Sequence, residues 1–166
     1  MRVGLGGWIE ARGWRSDIAP DSLGRLAEPA INFARQILSK DDAKVLKRGR
    51  HFKSLKAEEL HRLRLAAKRL RYVADFMLPL YGDRKSVRRF FRTLADLQEE
   101  LGCYNDMAVT ASLLTDLGAD SPDSGTAAAA IAGWHAHASD GVEARLRNAW
   151  RDFTKAKAPW SSEAEE

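Results

Sequence analysis

Basic side chains recur at helical spacing between positions 61 and 71. At about 100° per residue, Arg64, Lys68, Arg71 and Tyr72 all fall within about 80° of His61. Stacked like charges repel each other by a few tenths of a kcal/mol per pair, so an anion between them would relieve the repulsion. Arginine can donate two hydrogen bonds to one phosphate, and lysine acts as a mobile point charge. The segment therefore predicts a phosphate site, to which His61 would contribute variably near neutral pH.

The opposite arc of this helix is apolar, and a second segment repeats the design at positions 84–101. A short link, Pro79 to Asp83, indicates that the two helices pair antiparallel through their apolar faces. Their basic edges would then border one groove. The apolar residues of the first segment are Leu63, Ala66, Ala67, Leu70, Ala74 and Met77, and those of the second are Val87, Phe90, Leu94, Leu97 and Leu101. The cations of the second segment are Arg84, Lys85, Arg88 and Arg92.

The positive charge of the chain is concentrated in one stretch. Residues 40–92 hold 17 of the 27 lysines and arginines and six acidic residues, a net charge of +11 against −7 elsewhere. Such segregation favours a negatively charged partner, whereas solubility alone would be served by mixed charge. Helical periodicity by itself leaves a merely solvated basic face about equally plausible.

The elements that must position these residues are predicted to be helices, because apolar residues recur at helical spacing and no alternating run indicates a strand. The fold class is therefore all-α, with loops at Arg15–Ser22 and Gly118–Gly125. The first predicted helix runs from Pro29 into the low fifties, with Gly49 as a candidate end, and the second from about Ala57 to Leu78. The third runs from about Arg84 to Leu101 with Gly102 as terminator, and the fourth from a cap at Asn105 or Asp106 to Leu117. The last runs from Thr126 to about Phe153, and its Trp134 and Trp150 serve helix packing.

Several classes of site and location are excluded or disfavoured. Cys103 is the only cysteine, so neither an intramolecular disulfide nor a cysteine-based zinc cluster can form. No window reaches the roughly 18 apolar residues of a membrane span, and we expect a cytoplasmic protein. His135 and His137 point in different directions on a helix and do not predict a metal site. No motif indicates a catalytic residue or a cofactor, and the chain is predicted not to be an enzyme.

Two linked motifs carry a resemblance to a known family. The pattern H-x-x-R-x-x-x-K-R-L-R-Y at 61–72 and the pattern L-Q-x-x-L-G-x-x-N-D at 97–106 resemble the CHAD family, the conserved histidine α-helical domain. The similarity continues through Gly133-Trp134, Trp150, Phe153 and Pro159-Trp160. It implies an antiparallel helical bundle that binds inorganic polyphosphate, with His61, Arg64, Lys68 and Arg71 lining the site and Arg69, further round the helix, as a weaker candidate.

The chain departs from the family pattern in two ways. A CHAD domain usually has two similar four-helix halves in a pseudo-two-fold arrangement, and this chain resembles the second half. On that reading residues 1–21 are the remnant of a preceding helix and loop, 22–160 are the bundle, and 161–166 are a flexible tail. Either a homodimer completes the bundle, or the chain is a truncated form whose site is incomplete. Ala95 stands where a basic residue is expected, beside Arg88 and Arg92, which predicts some loss of affinity.

Three functions fit these residues. The first is polyphosphate binding, with association with polyphosphate granules as a further expectation. The second is nucleic-acid binding, which needs exposed aromatic side chains for base stacking, and Tyr72 is the only aromatic residue near the centre of the basic row. The third is a structural domain whose basic face binds an acidic protein or a granule surface.

Overall fold

The computed structural model describes residues 5–12, 24, 28–118, 125–126, 128–133 and 141–161. Within these ranges there is no strand, and the all-α prediction is confirmed. Predictions on Arg15–Ser22, on most of Gly118–Gly125, on Trp134, His135 and His137, and on the tail lie outside the described residues. The helices are α1 (Leu5–Glu10), α2 (Ala30–Arg48), α3 (Ala57–Met77), α4 (Lys85–Gly118) and α5 (Val142–Lys155), and residues 128–133 are also helical.

Helix α3 forms where the periodicity predicts it. At its start the Glu59 carboxylate accepts a hydrogen bond of 2.8 Å from the backbone N–H of Lys56, and acidic residues in a first turn also complement the helix dipole. The helix gives way to a 3₁₀ turn at Leu78–Tyr81, which contains Pro79. Its buried residues are Leu60, Leu63, Ala66, Ala67, Leu70 and Ala74, so the predicted apolar arc is confirmed.

Helices α3 and α4 pack antiparallel, as expected from their short link. His61 of α3 contacts Asn105 of α4, and ten residues further along α3 the side chain of Arg71 contacts Phe91. Residue numbers rise along one helix as they fall along the other. Helix α2 packs on α3, and α5 packs on α4. The predicted apolar side of α4 is buried in this core at Val87, Phe90, Leu94, Leu97 and Leu101.

The prediction that Gly102 ends a helix is wrong. Helix α4 runs uninterrupted for 34 residues, through Gly102, Asn105 and Asp106. A glycine inside a helix costs about 1 kcal/mol relative to alanine. The burial of Leu97 and Leu101 before Gly102 and the packing of Tyr104 against the core after it outweigh that cost. Asn105 therefore lies inside a helix, and its side chain is not a helix cap.

The prediction of one helix from Thr126 to Phe153 is also wrong. Gly141 has φ +74°, a left-handed conformation that a helix interior does not accommodate, and α5 begins only at Val142. The packing role predicted for Trp150 is confirmed, because its ring stacks on Phe52 with centroids 5.1 Å apart.

Helix α2 ends at Arg48, immediately before Gly49, the earlier of the two ends that the sequence allowed. Position 49 has no room for a side chain, since a methyl group there would overlap the ring of Trp150. Phe52 lies in a following 3₁₀ turn, Phe52–Ser54. None of the helices in the described ranges combines the length and the apolar character that a bilayer crossing requires.

Candidate polyanion-binding groove

One line of residues on α3 and one on α4 border the interface between these helices, and we call the space between them the cationic groove. The contacts at its ends join His61 to Asn105 and Arg71 to Phe91. Because the helices are antiparallel and both lines repeat every three or four residues, the side chains between these ends share the same interface. The α3 line consists of His61, Arg64, Lys68 and Arg71, and the α4 line of Phe91, Ala95, Gln98, Gly102 and Asn105.

The imidazole of His61 is held by α4. Its Nδ1 lies 2.7 Å from Oδ1 of Asn105, and the amide orientation is supported by Nδ2 of Asn105, which donates to Oδ1 of Asp106 at 3.4 Å. An amide oxygen only accepts hydrogen bonds, so the proton of this bond belongs to Nδ1. The other ring nitrogen, Nε2, then accepts a hydrogen bond in the neutral ring and donates one only in the protonated ring.

The remaining cations of the α3 line are half-buried. The Nζ of Lys68 lies 5.7 Å from the centroid of the Tyr72 ring, and Cζ of Arg71 lies 5.3 Å from that of Phe91, distances typical of cation–π contacts. Among the described residues no carboxylate lies within 4 Å of Arg64, Lys68 or Arg71. Their charges are therefore not neutralised by the described part of the chain.

Arg69 faces another part of the molecule. Its Nε lies 2.9 Å from Oδ2 of Asp41 in α2, and the Asp41 side chain is only 2% exposed. A buried carboxylate needs a charged or hydrogen-bonding partner, and Arg69 supplies it. The structure places this weaker candidate in the contact between α2 and α3, away from the groove.

Two of the four cations predicted for the second segment border the groove at the end nearest the turn between α3 and α4. Arg88 and Arg92 line an open hollow of about 740 Å³ together with Asp75, Phe91 and Ala95. Arg88 pairs with Asp83 at 2.6 Å. The two other cations, Arg84 and Lys85, are exposed and do not line this hollow.

The sequence reasoning missed the two amides of the groove, Gln98 and Asn105. Because Gly102 was predicted to end a helix, Gln98 and Asn105 were assigned to different helices. Both belong to the second motif and lie seven residues apart, a spacing that places them on the same side of one helix. The Oε1 atom of Gln98 is buried and has no hydrogen-bond partner among the described atoms. Buried polar atoms nearly always have partners, so this wall of the groove holds an unsatisfied polar group.

Other chemistry is not assembled in the described residues. They contain no cluster of three or more histidine, cysteine or acidic side chains that could hold a metal ion. Cys103 is a free, exposed thiol. Burial raises the pKa of Asp42 in α2 to about 6, and this residue lines neither the groove nor its hollow.

Comparison with known proteins identifies the family of the chain. The family model of the CHAD domain matches residues 4–115, which include both motifs and every residue of the cationic groove. The match ends before the similarity expected at Gly133–Trp160. Neither the curated proteins nor the solved structures contain a significant match to this sequence. Because the matched residues make up more than half of the chain, the protein belongs to the CHAD-domain family.

Proposed function

We propose that the chain binds inorganic polyphosphate in the cationic groove and catalyses no reaction on it. The observation that carries the proposal is the state of Arg64, Lys68 and Arg71, which are half-buried and have no carboxylate partner among the described residues. Partial burial removes water from a cation, and an opposite charge offsets that cost. Phosphate oxygens would supply this charge.

The spacing of the cations favours a polymer over a single phosphate. A rise of 1.5 Å per residue spreads the row from His61 to Arg71 over roughly 15 Å. A single phosphate can reach only one or two of these side chains, whereas a chain with a charge on every unit can contact all of them. Membership of the CHAD-domain family supports the same ligand class, because the resemblance implies polyphosphate binding.

The donors of the groove suit holding phosphate better than cutting it. The row offers guanidinium, ammonium and imidazole groups, and the facing wall offers the amides of Gln98 and Asn105. Phosphoryl transfer also needs a positioned nucleophile and groups that stabilise the transferred phosphoryl, usually with a metal ion. We therefore assign the groove a binding role.

Nucleic acid is the second candidate, and one observation favours it. Tyr72, beside Lys68, is 61% exposed, and Phe76, one turn further along α3, is 78% exposed. Exposed aromatic rings next to cations can stack bases. Polyphosphate remains the preferred ligand because phosphate groups alone can offset the positive charges of the row, with no requirement for bases. Three further expectations remain predictions: binding to an acidic protein or granule surface, a cytoplasmic location, and a homodimer. Measuring the mass of the protein in solution would test the homodimer.

A competition experiment tests the proposed function. Labelled long-chain polyphosphate bound to the full chain is challenged with unlabelled polyphosphate, single-stranded DNA, RNA and heparin at several salt concentrations. We expect polyphosphate to be the strongest competitor at equal phosphate concentration, and affinity to fall steeply with salt because bound phosphates release counterions. Equal displacement by DNA would contradict the preference for polyphosphate.

A further inference from the structure

A second cationic pocket lies apart from the groove, where the end of α2 meets α5. Its volume is about 730 Å³. Four arginine and lysine side chains and one histidine line it, together with neutral residues and no carboxylate. The lining residues are Arg50, His51, Lys53, Arg147 and Arg151, with Phe52, Ser54, Asn148 and Trp150.

Aromatic packing builds this pocket from two distant parts of the sequence. The rings of Phe52 and Trp150 are stacked, with centroids 5.1 Å apart and planes 6° from parallel. Trp150 also packs over Gly49, where a methyl group would overlap its ring. This stack fixes the basic stretch after α2 against α5, so that Lys53 and Arg147 line the same space. Packed aromatic rings therefore position the cationic side chains of the pocket.

The charges of the pocket are only weakly compensated. Arg147 lies 3.4 Å from Glu143, and Arg151 lies 3.4 Å from Asp152, both in exposed pairs of a kind that solvent screens strongly. Arg50 and Lys53 have no carboxylate within 4 Å in the described ranges. The pocket therefore holds an excess of positive charge.

We propose that this pocket is a second phosphate-binding site and that one long polyphosphate chain occupies it together with the cationic groove. The inference rests on the proposed function for its ligand. A smaller hollow lies between the two places: its lining shares Lys53 and Arg147 with the pocket and also includes Glu143, the ion-pair partner of Arg147. It shares Leu60 and Tyr104 with the hollow that contains His61 and Asn105 at the end of the groove.

The pocket fits phosphate groups better than bases. Phe52 and Trp150 use one face of each ring for their mutual stack, and both rings are half-buried. A base would need a free, accessible ring face, whereas phosphates need only the charges and N–H donors at the rim. Occupation of two linked sites by one polymer raises affinity without new contacts, because the second binding event becomes intramolecular.

Two charge-neutralising variants of the full chain separate the sites. The pocket variant is Arg50→Gln/Lys53→Gln/Arg147→Gln, and the groove variant is Arg64→Gln/Lys68→Gln/Arg71→Gln. A charge-matched control replaces three exposed lysines that line neither site, Lys40→Gln/Lys44→Gln/Lys155→Gln.

The ligands are tripolyphosphate, long-chain polyphosphate and single-stranded DNA, and binding is measured by calorimetry. We expect two tripolyphosphate sites in the wild type and in the control, and one in each variant. For the long chain, the pocket variant should bind about tenfold more weakly. The slope of log affinity against log salt should flatten by about 2, since three phosphate contacts are lost.

The outcomes distinguish this inference from the proposed function. Unchanged binding of both phosphate ligands by the pocket variant would overturn the second site and leave the groove intact. Unchanged binding by the groove variant, with loss in the pocket variant, would overturn the groove and support the pocket. DNA binding in the pocket as tight as polyphosphate binding would overturn polyphosphate as its ligand. The single exposed substitution Lys53→Glu gives a second test, with weaker long-chain binding expected and no change overturning the inference.

Discussion

His61 and Asn105 join the two helices of the cationic groove through a 2.7 Å hydrogen bond between Nδ1 and Oδ1. The bond lies at the end of the groove opposite the turn that connects α3 and α4. It fixes the imidazole on the line of Arg64, Lys68 and Arg71, and it assigns the Nδ1 proton to the bond. The ring therefore donates to a phosphate through Nε2 only in its protonated form.

The first prediction concerns the contact between His61 and polyphosphate. The bond to Asn105 holds the imidazole on the line of Arg64, Lys68 and Arg71. We expect His61→Ala to weaken polyphosphate binding by about threefold to tenfold, because one side-chain contact with the ligand is lost.

Fluorescence anisotropy with labelled polyphosphate at constant pH and ionic strength measures the affinities. Asn105→Ala is the control, because it removes the bond but keeps the imidazole, and its loss of affinity should be smaller. Equal affinities of the wild type and His61→Ala would show that this imidazole does not contact the ligand.

The second prediction compares two glycines with opposite environments. Gly49 lies under the ring of Trp150, whereas a methyl group at Gly102 would meet nothing within 4 Å. Gly49→Ala should lower the free energy of unfolding by about 1–3 kcal/mol through overpacking. Gly102→Ala, inside α4, should raise it by about 0.5–1 kcal/mol.

Urea denaturation followed by circular dichroism measures both free energies. Each variant serves as the control for the other, since both add one methyl group to a glycine. A stabilising Gly49→Ala would mean that Trp150 does not pack on that backbone, and a strongly destabilising Gly102→Ala would contradict the open space beside α4.

Local pattern was enough to predict α2 and α3 and the buried sides of α3 and α4. Apolar spacing reports which side of a helix is buried, and Leu63, Leu70 and Leu94 are fully buried as it indicated. Gly102 shows the limit of this reasoning, because its unfavourable helix propensity was outweighed by packing that involves other helices. The length of α4 was therefore mispredicted.

Pairwise relationships across the fold could not be predicted in the same way. Asp41 and Arg69 are 28 residues apart and meet only because α2 packs on α3. Trp150 and Gly49 are separated by a hundred residues, and no periodicity connects them. The spacing of Gln98 and Asn105 was visible in the sequence, but it gained meaning only once both residues lay on one helix facing His61.

The third prediction concerns Asp42 and the pH dependence of stability. Burial raises the pKa of its carboxyl from 3.8 to about 6, so the folded state holds this proton more tightly than the unfolded state. The corresponding stability is present below pH 3.8 and is lost as the pH rises through about 6. The shift corresponds to a change of at most about 3 kcal/mol in the free energy of unfolding. Because the carboxyl is partly exposed, solvent screening lowers this contribution to about 1–2 kcal/mol.

Asp42→Asn should therefore stabilise the fold above pH 6 by about 1–2 kcal/mol and change it little at pH 3.5. Thermal unfolding at the two pH values measures the difference. The exposed Asp75→Asn is the matched control and should show no comparable gain at neutral pH. A gain of the same size for Asp42→Asn at both pH values would contradict the titration of this group as the cause.

The most direct test of the account is the affinity of Arg64→Gln/Lys68→Gln/Arg71→Gln for long-chain polyphosphate, measured beside Lys40→Gln/Lys44→Gln/Lys155→Gln. Both variants lose three positive charges, and all substituted residues lie on described helices. We predict about a hundredfold loss for the groove variant and a small change for the control, with helicity preserved in both, because of these two sets of residues only the groove set contacts phosphates. Equal affinities of the two variants would contradict the assignment of polyphosphate binding to the groove.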